Sequence, residues 1–201
     1  MNGYYYRCVI TGAAPCAAVN SFQALLRVNP LPTVVITASP YTSLFPGLRT
    51  TLTSTVSPNA AATYTWLRNG SPVAGANTGT LGVDVDGLGD YTLRVIDVNG
   101  CTNTSNMVTI KDSVSGKCFI YPNPSSGQFQ VRYYSVANNV LPRSLTVYDA
   151  KGNRVITQYY TIGRPYDRMD VDMRKYGKGL YWVEIGDVNG NRLTMCRIVI
   201  Q

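Results

Sequence analysis

Punctuation constrains this chain more than any other feature: between residues 30 and 111, turn-forming Gly, Pro, Asn and Asp recur every eight to twelve positions. The runs between them are short and rich in Thr, Val and Tyr. Such runs leave no room for a helix with a continuous apolar stripe, whereas β-branched and aromatic side chains suit a pleated, half-buried surface. The 201 residues include 15 Tyr, 18 Gly and 11 Pro, and an all-β chain is expected. One helix-like signal stands out, a single turn around Met173-Arg174-Lys175-Tyr176 ahead of Gly177.

Strands are predicted over 33–38, 50–56, 63–68, 80–85, 90–97 and 106–110, the spacing of an immunoglobulin-like β-sandwich. Trp66, followed by Arg68-Asn69-Gly70, takes the place of the core tryptophan of strand C. Gly89-Asp90-Tyr91 resembles the start of strand F with its corner tyrosine. Residues 30–111 thus resemble the immunoglobulin-like or PKD-like surface modules of secreted Bacteroidota proteins. By the same resemblance residues 1–29, with strands over 4–11 and 22–28, match the last two strands of another such domain, so the chain is expected to begin inside a domain. A lone hairpin is marginal in water, and this one is expected to pack poorly or to lean on the second domain.

A polar linker, Asp112, Ser113, Val114, Ser115, Gly116 and Lys117, precedes a third region, residues 119–201. Phe129, Val131 and Tyr133, then Leu145 and Val147, Met169, Val171 and Met173, and Tyr181, Val183 and Ile185 alternate with period two, as in a second small antiparallel sandwich. In the last strand Leu193 and Met195 share one face and Cys196, Ile198 and Ile200 the other, so a bulge or burial on both sides is expected.

Turn chemistry explains several residues here. Pro122 and Pro124 fix φ on either side of Asn123, giving a shaped surface feature, and Gly127 turns the chain into Phe129. Asp149-Ala150-Lys151-Gly152 reads as a hairpin turn in which Asp149 bonds its own backbone and Gly152 accepts positive φ. Gly179 before Tyr181 is read as permitting close backbone approach. Asp97-Val98-Asn99-Gly100 recurs as Asp187-Val188-Asn189-Gly190, and both are read as hairpin turns.

The order Phe119-Ile120-Tyr121-Pro122-Asn123-Pro124, Leu145 to Val155, Met169 to Met173, Gly177 to Ile185 and the basic, apolar finish around Arg197 resembles the C-terminal sorting domain of the type IX secretion system. That resemblance implies a compact β-sandwich read by the type IX translocon after the protein has crossed the inner membrane. It implies removal by a sortase-like peptidase within Asp112 to Lys117, and cargo that is secreted or joined to anionic lipopolysaccharide at the cell surface. The chain is then a targeting and display region of a secreted or outer-membrane surface protein, with any catalytic domain of the parent upstream. The competing reading is an adhesin or carbohydrate-binding sandwich in 30–111, which calls for an exposed coplanar patch including Tyr41, Phe45 or Tyr64.

Composition narrows the chemistry. Histidine is absent, which removes Ser/His and Cys/His nucleophile pairs and imidazole metal sites. Glu184 is the sole glutamate, leaving little for paired-carboxylate catalysis. No cofactor or metal is expected. Asp84-Val85-Asp86 and Asp170-Val171-Asp172 offer carboxylates to calcium, but alternation on a strand puts such Asp on the solvent face with Val inside. The net charge of +7 lies mainly in 119–201, with eleven basic against six acidic residues. These charges are spread along strands without a recognition helix or aromatic-basic cluster, so no nucleic-acid partner is expected. No run approaches the roughly 18 apolar residues of a spanning helix, and residues 1–7 lack the basic-then-apolar pattern of a leader. Of the five cysteines, Cys8 and Cys16 flank the first hairpin loop, and similar modules imply a disulfide between them. Cys101 and Cys118 bracket the domain junction, and Cys196 is read as a buried thiol.

Overall fold

The computed structural model describes residues 2–135 and 141–201. The first region forms two short ladders, β1 (Tyr5–Tyr6) with β4 (Ala24–Leu25) and β2 (Val9–Ile10) with β3 (Val19–Asn20). Every residue from Asn2 to Leu31 is exposed, and Phe22 is 99% accessible. The strands pair, but their side chains gain no core.

The next nine strands are β5 (Thr33–Ser39), β6 (Ser43–Leu44), β7 (Thr50–Ser57), β8 (Ala61–Arg68), β9 (Ser71–Pro72), β10 (Thr80–Val83), β11 (Gly89–Asp97), β12 (Thr102–Thr104) and β13 (Val108–Asp112). They form a sheet of order β10-β7-β5 and another of order β6-β13-β11-β8-β9, with β12 on β11. Alternation buries Val34 and Ile36 on β5 and Tyr91, Leu93 and Val95 on β11. Trp66 is fully buried and donates its indole N–H to the Thr78 carbonyl at 2.8 Å, so its one polar atom is satisfied. The strand expected over 80–85 stops at Val83. Asp84 caps a short 3-10 turn, Val85–Gly87, by accepting the Asp86 N–H at 3.0 Å; Asp84 and Asp86 therefore do not alternate on a strand face.

The last region holds β14 (Phe119–Tyr121), β15 (Gln128–Arg132), β16 (Leu141–Asp149), β17 (Arg154–Ile162), β18 (Met169–Asp172), β19 (Gly179–Gly186) and β20 (Arg192–Ile200). Two antiparallel sheets result, β14-β15-β18 and β17-β16-β19-β20. Their inner faces bury Phe129, Val131, Leu145, Val147, Met169, Val171, Val183, Ile185 and Ile198, as period-two patterning requires. Met173 to Tyr176 forms a hydrogen-bonded turn, the Tyr176 N–H meeting the Met173 carbonyl at 2.9 Å. On β20 the even positions, Cys196, Ile198 and Ile200, face inward, while Leu193 and Met195 remain on the outer face. The irregularity needed to seat this strand is a register shift at Ile185/Gly186.

By contacts the chain divides into two compact units. One is Met1–Thr37, Thr53–Leu81 and Tyr91–Val108; the other is Ala38–Leu52, Gly82–Asp90 and Thr109–Gln201. Segments 38–52 and 82–90 thus group with the C-terminal region. No helix among the described residues is long and apolar enough to cross a membrane.

Candidate functional site

Strand β20 has β19 on one side only, so the outward-pointing amides and carbonyls of its odd-numbered residues need other partners. Asn123 and Ser125 supply them. The Asn123 amide donates to the Arg197 carbonyl at 2.9 Å, and its oxygen accepts the Val199 N–H at 3.2 Å. One step along, the Ser125 N–H donates to the Val199 carbonyl at 2.9 Å and the Gln201 N–H to the Ser125 carbonyl at 2.8 Å, closing a parallel bridge between Ser125 and Ile200. The segment expected as a shaped surface feature is a latch along the free edge of the final strand.

The latch is held from both ends. The Ser125 hydroxyl donates to the Gln128 carbonyl at 2.7 Å and accepts the Gly127 N–H at 3.0 Å. Gly127 has φ +111, and a Cβ there would stand 3.0 Å from the Arg174 Cα, so both conformation and space favour glycine. Gly179 serves differently from the expectation: its φ is +151, yet nothing lies within 4 Å of where a Cβ would be. It supplies a backbone conformation, and the close approach belongs to Gly127.

A disulfide joins Cys118, just before β14, to Cys196 on β20. This corrects two expectations. Cys196 is bonded, whereas Cys8 and Cys16 are free, exposed thiols and the half-buried Cys101 is free as well. The physical reason lies in placement, since Cys118 and Cys196 have Cα atoms 6.0 Å apart, within bridging reach. Two of the five cysteines bracketing one small sandwich were the available sequence signal.

The turns recur as one design. Asp149 accepts the N–H groups of Lys151 and Asn153 at 2.8 Å each through one oxygen, while the other takes the Asn153 amide at 2.9 Å. Asp187 repeats this with Asn189 and Asn191, and Asp97 bonds Asn99 and Cys101 likewise. The following glycines, Gly152, Gly190 and Gly100, have φ of +85, +82 and +81. Hydrogen bonds from Asn153 hold the Asp149 carboxyl below its ordinary value. Tyr181 is buried and donates its hydroxyl to the Gly177 carbonyl at 2.6 Å. Arg197 is exposed on β20, opposite Trp182.

Charged pairs account for the remaining aspartates considered for calcium. Asp172 takes the Arg174 guanidinium at 2.6 Å, which pulls its carboxyl down to about 2, and Asp170 pairs with Arg168 at 3.3 Å. In the C-terminal unit the buried Arg132 grips both oxygens of Asp86 at 2.6 and 2.8 Å, holding that carboxyl below its ordinary value. Among the described residues no group of three or more Cys, Asp or Glu gathers as metal ligands.

The linker is partly fastened. The Ser113 N–H donates to the Leu44 carbonyl at 2.8 Å, and the Ser113 carbonyl accepts the Tyr166 hydroxyl at 2.5 Å. Val114, Gly116 and Lys117 are exposed, with Asp112 and Ser115 intermediate. Tyr41 is exposed, but Phe45 stacks on Phe119 at 5.6 Å and Tyr64 is half-buried.

The family model described as a secretion system C-terminal sorting domain matches residues 119–201. No curated protein matches the chain. Among solved structures, the chain is similar to dimeric latent PorU from Porphyromonas gingivalis (14% identity, 92% of this chain, 23% of that one, TM-score 0.34). It is similar also to the fibronectin(III)-like modules of Clostridium thermocellum CbhA (11% identity, 83% and 94% covered, TM-score 0.32) and to chicken CNTN1 FN1-FN3 domains (11% identity, 97% and 74% covered, TM-score 0.34). The chain spans under a quarter of the PorU chain, and scores this low establish no shared arrangement.

Proposed function

We propose that this chain, whose residues 119–201 are a C-terminal sorting signal for type IX secretion, directs the polypeptide joined to it to the cell surface or the medium. The observation that carries the reading is the family match over residues 119–201, reaching the final residue. Sorting domains of this kind are non-catalytic; their work is to be recognised. The translocon reads the closed sandwich with its latched last strand. Pro122, Asn123, Pro124, Gly127, Asp149, Gly152, Gly179, Tyr181 and Arg197 serve chiefly to hold that shape. A sortase-like peptidase cuts between residues 112 and 117, and the cargo is released or attached to anionic lipopolysaccharide.

Two observations support cleavage in the linker. Its exposed positions, Val114, Gly116 and Lys117, lie between two strands rather than within one, where chains are readily nicked. Both partners of the Cys118–Cys196 bridge lie after residue 117, so a cut between residues 112 and 117 leaves no covalent tether. The domain organisation that follows is a hairpin over 1–29, an immunoglobulin-like domain over 30–111, the linker 112–118 and the sorting domain 119–201.

Residues 112–201 behind a signal peptide and a fluorescent passenger test this in a type IX-competent bacterium and a translocon-deficient strain. Export in the competent strain alone, with the tag trimmed in the linker, is expected. Periplasmic retention in both strains would overturn the proposal.

A further inference from the structure

The outer face of the β17-β16-β19-β20 sheet carries a pattern that folding does not require. Register places Arg154 opposite Tyr148, Tyr148 opposite Trp182 and Trp182 opposite Arg197. Tyr148, Trp182 and Arg197 lie on the face opposite the core residues Val147, Val183 and Ile198, since neighbours along a strand point to opposite sides, and a register shift at Val147/Tyr148 brings the exposed Arg154 into the same row. With strands about 4.8 Å apart, this is a ladder of roughly 14 Å reading cation, phenol, indole, cation. In the adjacent row Glu184 stands between Thr146 and Met195, and its carboxylate accepts the Tyr148 hydroxyl at 3.3 Å. Trp182 is 39% exposed and Met195 40%.

Tyr148, Gly152, Trp182, Glu184 and Met195 line a depression of about 280 Å³. That is just below the roughly 300–1,000 Å³ of small-molecule sites, and it is open, so it suits one ring of a longer chain lying across it. Arg154 and Arg197 make no ion pair with a carboxylate among the described residues.

We propose that this face is a binding platform for an extended polysaccharide containing uronic acid residues. A sugar ring lays its C–H face on the Trp182 indole, removing apolar surface from water. Its hydroxyls donate to the Glu184 carboxylate, and ring carboxylates meet Arg154 and Arg197, whose planar forks match that group. The proposal concerns binding alone and stands apart from export.

Tryptophan emission of the full chain reads it directly, because Trp66 is fully buried while Trp182 is accessible. Titration with polygalacturonate is expected to give a saturable emission change. Uncharged dextran and polyglutamate are expected to give at least tenfold weaker responses. The Arg154→Ala/Arg197→Ala variant, altered only at exposed side chains, should bind polygalacturonate at least tenfold more weakly. Trp182→Ala, followed by isothermal titration calorimetry because it lacks the reporter, should bind polygalacturonate at least tenfold more weakly while Trp66 emission and the melting transition report an intact fold. No response to polygalacturonate, an equal response to dextran or polyglutamate, or undiminished binding by the double-arginine variant would each overturn the proposal.

Discussion

The two ends of this chain use the same element, a short antiparallel ladder, with opposite results. At the N-terminal end β1 to β4 satisfy one another's backbones, yet every side chain from Asn2 to Leu31 stays exposed. At the C-terminal end β20 buries Ile198 and Ile200, pairs with β19 along one edge, and is latched by Asn123 and Ser125 along the other. Backbone pairing is common to both, so it cannot be the source of the difference. Burial and edge closure separate a stable strand from a marginal one.

Substitutions at matched positions sharpen this contrast. Ile198→Ala opens a cavity in the sandwich core and is expected to cost about 2–5 kcal/mol, whereas Ile10→Ala in the exposed hairpin should stay within about 0.5 kcal/mol. Chemical denaturation of each variant reads both, and equal effects would break the comparison. Next in size, Cys118→Ser removes a bridge across 78 residues and is expected to cost about 2–4 kcal/mol. The same change at Cys8, a free thiol, should leave the unfolding midpoint in place.

Gly127→Ala places a Cβ 3.0 Å from the Arg174 backbone at φ +111, and a loss of about 1–3 kcal/mol in thermal unfolding is expected. Gly152→Ala at φ +85 with nothing within 4 Å meets only the conformational part and should lose less. The smallest effect concerns acid. Asp172 has a carboxyl lowered from 3.8 to about 2 by Arg174. Its contribution is full above the ordinary carboxylate range and fades as pH falls toward 2. Asp172→Asn should therefore lower the neutral plateau slightly, since the pair is exposed, leave stability near pH 2 unchanged, and so flatten the profile across that acid window.

What could be read from the residues was what they decide locally. Alternation in 129–133, 145–147 and 181–185 marks the core faces, and the Asp-x-x-Gly turns follow from side-chain bonds spanning four residues. The latch and the bridge were hidden because Asn123 meets Arg197 across 74 positions and Cys118 meets Cys196 across 78. Only the strand order makes those pairs neighbours. The role of Gly179 was misjudged, and the close approach at Gly127 missed, for the same reason, since whether a Cβ has room depends on what packs there. Asp84 and Asp86 misled because their alternation also fits a capped 3-10 turn.

The latch itself is tested most directly by amide hydrogen exchange at Val199 and Gln201 in the full chain. Both N–H groups point away from β19 and bond to Asn123 and Ser125. Slow exchange at both is expected, with Val199 much faster in Asn123→Ala while the Tyr181 and Val183 amides in β19 remain protected. Rapid exchange at Val199 and Gln201 in the unaltered chain would contradict the account, because the final strand would then have an open edge.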